Sequence, residues 1–163
     1  MKKVTIFDKV RDKLEPVLEI EDLNLKFYHP SVLSKETSLA IFDGQIKIDY
    51  LNDKLIEASN QLEELRNSKK LDKTNLDKRQ SITKDIDKLN TEVREEIANY
   101  IESLAKIKPG ALKKAMDIFY SERPEFDYPI DNFISDIFKE VTEALTEYRE
   151  KELNINEGDD LKK

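Results

Sequence analysis

The chain has 163 residues, 39% charged and 38% hydrophobic, with a formal net charge of −7, three glycines, five prolines and no cysteine. The acidity argues against a general nucleic-acid binder or a ligand of anionic membranes, both of which need a basic face. Without cysteine there are no disulfides, no thiolate catalysis and no cysteine-based metal centres.

That length suits one ordinary domain, or a small domain with an extended appendage. Apolar content is too high and too periodic for a disordered chain. Few glycines and prolines beside many Lys, Glu, Leu and Asp favour long helices. The opening MKKVTIFDKV has two lysines but no apolar run of a secretory signal, and no apolar stretch approaches eighteen residues. The expectation is a soluble, cytoplasmic protein.

In chain order, Thr5-Ile6-Phe7-Asp8 has the T-x-x-D form of a helix start, and Ile6, Val10 and Leu14 recur at helical spacing until Pro16. Leu23, Leu25 and Phe27 then alternate with Asn24 and Lys26, which predicts a short half-buried strand; Val17–Ile20 is its nearest partner. Ser34 is placed to cap a helix that Gly44 would stop.

From Gln45 to Lys108 no glycine or proline occurs. Ile48, Leu51, Leu55, Ala58, Leu62 and Leu65 form a heptad seam, and Ile86, Val93, Ile97, Tyr100, Leu104 and Ile107 form a second stripe. Between them the apolar pattern thins out, Asn67-Ser68 and Thr74-Asn75 are poor helix formers, and Ser81 offers a new cap. An antiparallel helical hairpin over 45–108 is preferred to one rod in a dimer. It returns Tyr50 and Tyr100 to the flanks, where the other aromatics lie.

Pro109 suits the first residue of a helix through Glu122, and the RPEFDYP loop sets Pro124 and Pro129 around aromatics. Pro129 then opens a long helix with Ile130, Phe133, Ile134, Ile137, Phe138, Val141, Leu145 and Tyr148 on one face. The predicted class is mainly α (α+β). Residues 1–44 and 109–153 make a compact head with one short strand pair near the N-terminus, 45–108 project as the hairpin, and 154–163 are a disordered tail.

Chemistry-bearing patterns are sparse. His29, the only histidine, precedes Pro30 and reads as a turn residue, with no second histidine or nucleophile motif beside it. Glu92 and Glu96 share a helix face at i, i+4, but no Glu-x-x-His accompanies them, so a solvated coiled-coil flank is preferred to a cation site. Three scattered glycines form no phosphate-binding loop or dinucleotide fingerprint. The expectation is no catalytic, cofactor-binding or metal residue, no cofactor, and no enzymatic activity.

One asymmetry stands out. Residues 66–80 carry Arg66, Lys69, Lys70, Lys73, Lys78 and Arg79 against Asp72 and Asp77, a local charge of +4, which leaves −11 on the rest. Those six cations are the candidate partner-binding residues, a basic tip able to dock an acidic partner. The sequence therefore points to a non-enzymatic interaction protein, an assembly factor, adaptor or chaperone, acting as monomer or homodimer and holding protein partners on amphipathic helices. Its Lys-, Ile-, Asn- and Asp-rich usage suits an AT-rich bacterial or phage genome. The general look is similar to that of small acidic phage tail-assembly chaperones, though no motif carries the likeness. The alternative is an acidic, phage-type inhibitor that occludes a nucleic-acid-binding enzyme, with DIDKLNTEVREE and TEALTEYREKEL as the acidic stretches.

Overall fold

A computed structural model describes residues 1–3, 5–7, 14–68 and 72–161, with side chains through Lys151. The helix expected before Pro16 rests largely on 8–13, outside the described residues. Beyond it, strands β1 (Leu18–Ile20) and β2 (Leu25–Phe27) pair antiparallel with Leu18 opposite Phe27 and Ile20 opposite Leu25. Leu25 and Phe27 are buried and Lys26 exposed, so the alternation does place one face on the core. Leu23 lies in a 3-10 turn between the strands, and it is buried there too. Asn24 closes that turn at φ 53, a left-handed conformation that asparagine adopts more readily than most residues.

Helix α1 (Lys35–Asn67) starts on Ser34, whose Oγ accepts the Thr37 N–H at 3.2 Å. It does not stop at Gly44. Ile41 and Ile48 are buried one turn to either side, and packing on both sides outweighs the roughly 1 kcal/mol that an interior glycine costs. After Asn67 the chain turns, and helix α2 (Lys73–Leu104) returns along α1. The segment is thus an antiparallel hairpin. The returning helix is capped by Asp72, whose Oδ1 accepts the Asn75 N–H at 2.7 Å, and not by Ser81. Asp72 offers the same kind of acceptor two turns earlier, so the backbone has no reason to stay open to Ser81.

Helix α3 (Ala111–Ser121) begins later than Pro109, because Gly110 at φ 87 takes the N-cap position. Helix α4 (Ile130–Leu161) begins beside Pro129, whose carbonyl accepts the Phe133 N–H at 3.1 Å. It continues through 154–161, where an irregular tail is expected from composition; no proline interrupts that stretch to end the helix.

The seam of α1 meets α2 along Ile48, Leu51 and Leu62 on one side and Val93, Ile97 and Tyr100 on the other, all buried. Phe27, Ile101, Leu104, Leu112, Met116 and Val141 are the largest fully buried side chains among those described. They come from β2, α2, α3 and α4, so the base of the hairpin shares one core with the strand pair and the two later helices. Tyr28 N–H donates to the Leu104 carbonyl at 3.0 Å and fastens the strand pair to the end of α2.

Candidate interaction surfaces

The first surface is the tip of the hairpin. Arg66 is exposed in the last turn of α1, and Lys73 and Lys78 are exposed in the first turns of α2. Lys69 and Lys70 lie outside the described residues. Arg79 has a different task. It is half-buried, and its Nη2 donates to the Leu65 carbonyl at 2.8 Å, so it closes the turn by satisfying one of the last carbonyls of α1. Lys73 is the first residue of α2, whose first turn has no acidic residue. The Asp72 carboxylate at the N-cap faces the positive helix end there, beside the lysines.

The second surface is the side of α1 turned away from its seam. Leu39, Phe42, Ile46 and Tyr50 are 53%, 63%, 53% and 58% exposed. At 100° per residue they fall within about 80° of one another, roughly opposite the buried positions. Grooves of 590 Å³, lined by Ala40, Asp43, Gly44 and Lys47 with residues of α2, and of 540 Å³, lined by Ser38, Phe42 and Gln45 with residues of α4, run on either side. The spacing of 3, 4 and 4 is visible in the sequence. Placing a helix stop at Gly44 hides it, because that divides the stripe between two elements.

A third feature is a column of carboxylates. Asp136, Glu140, Glu143, Glu147 and Glu150 are all exposed on α4 and fall within about 80° of one another, over ~21 Å of helix. Lys139 and Lys151 sit at its edges. Asp136 accepts a hydrogen bond from Tyr128 Oη at 2.6 Å, which is the first cause of the raised Tyr128 pKa. Tyr120 Oη donates to the Tyr128 carbonyl at 2.6 Å, and burial raises its own pKa. The rings of Phe119, Tyr120, Phe126 and Phe133 cluster beside this pair, with centroids 5.3–6.3 Å apart. The RPEFDYP loop is thereby held as an aromatic clasp between α3 and α4.

His29 serves its turn. Its Nδ1 accepts the Ser31 N–H at 3.1 Å ahead of Pro30, and its ring lies 4.6 Å from that of Tyr148. Glu96 pairs with Lys47 at 3.1 Å across the hairpin. Among the described residues no three His, Asp or Glu side chains gather as a metal site, and no helix is long and apolar enough to cross a membrane. Compared with known proteins, the chain matches no family model, no curated protein and no solved structure.

Proposed function

We propose that this chain is a non-enzymatic interaction protein, an assembly factor, adaptor or chaperone of the phage tail-assembly kind, working in a reducing cytoplasm. The observation that supports this reading is the outer stripe of α1, with Leu39, Phe42, Ile46 and Tyr50 all more than half exposed. A helix of an isolated domain needs one apolar face; α1 carries two on opposite sides, and the second has value only when something covers it. The basic tip would steer an acidic partner toward the arm.

Capture from extract of the native host is the test. Wild-type chain is expected to retain a partner that Phe42→Asp and Ile46→Asp both lose. Capture undiminished in both variants removes the reading.

A second reading, an acidic inhibitor of a nucleic-acid-binding enzyme, draws on the column from Asp136 to Glu150. Its carboxylates stand ~5 Å apart along the helix in one exposed line, and its flanking lysines lie at the edges. Competition with DNA for a purified nuclease decides it; no competition at micromolar protein rules it out.

A further inference from the structure

The charges beside the apolar stripe of α1 follow an order that the core does not require. We infer that this face binds a second copy of the chain, with the two α1 helices antiparallel about a two-fold axis near Gln45. The inference rests on reading the face as an interaction surface, and it names the occupant.

Glu36, Asp43, Lys47 and Lys54 lie along one flank of the stripe, within about 40° of one another at 100° per residue. They run acid, acid, base, base. Antiparallel helices bring together residues whose numbers have a constant sum. An axis at Gln45 sets Glu36 against the partner's Lys54 and Asp43 against the partner's Lys47, and each pair is made twice by symmetry. Lys35 and Asp53, nearer the centre of the face, form a third opposite pair when the axis shifts by one residue. A parallel two-fold would instead set this flank against the opposite flank of the partner, and none of these pairs would form.

The apolar side chains pair about an axis no more than one residue away, toward Gly44. Leu39 comes beside the partner's Tyr50, and Phe42 beside the partner's Ile46. Together the four expose on the order of 400 Å² of apolar surface, well into the range of functional patches. The stems of the flanking lysines and glutamates extend this toward the ~800 Å² per partner of a standard interface. Gly44 and Ala40 keep the flank beside α2 low, and the 590 Å³ groove there has room for side chains of the second copy. Lys47, bonded to Glu96, is still 67% exposed and has further donors for Asp43 of a second copy.

The consequence is a two-ended molecule. The turn after Asn67 lies about 23 residues beyond the axis, so the basic tips stand ~70 Å apart at opposite ends of the dimer. Such a bar would hold two acidic partners at a set distance.

Analytical ultracentrifugation of the full chain up to ~100 µM tests this. The wild type is expected to dimerise, and Ile46→Asp, at an exposed position, to weaken the dimer on the order of 100-fold with an unchanged circular dichroism spectrum. The register has its own test. Glu36→Lys/Asp43→Lys and Lys47→Glu/Lys54→Glu should each be monomeric alone and should pair when mixed one to one. A monomeric wild type, a dimer indifferent to Ile46→Asp, or charge variants that do not recombine would each overturn the inference. If the wild type is monomeric but captures a host protein that Ile46→Asp loses, only the identity of the occupant is wrong. If neither capture nor self-association responds to Ile46→Asp, the reading of the face fails with it.

Discussion

Glu102, in the last turn of α2, accepts the Leu112 N–H of α3 on its Oε2 at 3.1 Å, while its own carbonyl accepts the Ile107 N–H at 3.1 Å. One buried residue therefore ties together the end of α2, the turn and the start of α3. The N-cap of α3 is Gly110, which has no side chain to offer, and Glu102 supplies the acceptor from outside the helix. Glu102→Ala leaves a buried N–H without its partner and is expected to cost about 1–3 kcal/mol. Glu102→Gln keeps a carbonyl oxygen and should cost less than half of that. Urea midpoints at constant m-value measure both; a Glu102→Ala midpoint equal to wild type would show that the cap contributes nothing.

The contrast between Ser34 and Glu102 explains what was legible in the sequence. Ser34, Asn67-Ser68 and the alternation Leu25-Lys26-Phe27 act locally, and the helix start, the hairpin turn and the strand pair follow from them. Glu102 acts on residues ten positions away, and nothing in its neighbours announces a cap. Gly44 shows the opposite failure, a local stop signal overruled by the packing of Ile41 and Ile48. Of the candidate partner residues, Arg66, Lys73 and Lys78 lie exposed as charge counting expects, whereas the bond from Arg79 to Leu65 depends on the turn geometry.

That bond makes Arg79 a fastening of the tip. Arg79→Ala frees the Leu65 carbonyl and is expected to destabilise by about 0.5–1.5 kcal/mol. The loss should be concentrated at the end of the arm, far from Phe27 and Val141. Amide exchange should therefore accelerate around 62–80 while the thermal midpoint barely moves. Uniform acceleration through α3 and α4 would mean that the tip and head unfold as one.

Alkaline pH should weaken the fold through its tyrosines with raised pKa, Tyr100 and Tyr128 together with Tyr120. The Tyr100 pKa is raised by burial and then by Asp49, and the Tyr128 pKa first by its hydrogen bond to Asp136. Both folded values lie above the unfolded value of 10.0, so the stabilisation is fully present below 10.0 and is lost as pH rises through the folded values. Tyr128→Phe should lower stability at neutral pH and flatten the decline above 10.0. An identical alkaline slope in the variant would count against the Tyr128–Asp136 bond.

Gly44 is a place to gain stability. A Cβ added there would meet nothing within 4 Å, and the residue is helical. Gly44→Ala should raise stability by about 0.5–1 kcal/mol, mainly by restricting the unfolded chain. A scanning calorimetry midpoint that rises supports this; a fall would mean that the groove beside α2 needs the missing side chain.

Lys73 separates stability from binding. A lysine at the first position of a helix opposes the helix dipole, and within α2 itself no acidic residue of the first turn offsets it beyond the Asp72 carboxylate at the N-cap. Lys73→Glu should therefore stabilise the fold by about 0.3–1 kcal/mol. The same change lowers the charge of 66–80 from +4 to +2. Binding of a polyglutamate peptide as an acidic probe should weaken and lose part of its salt dependence. A variant that is more stable yet binds less well would mean that the lysine is kept for its partner, at a cost to the helix. A variant more stable with the probe bound as before would reduce the basic tip to a solvated turn.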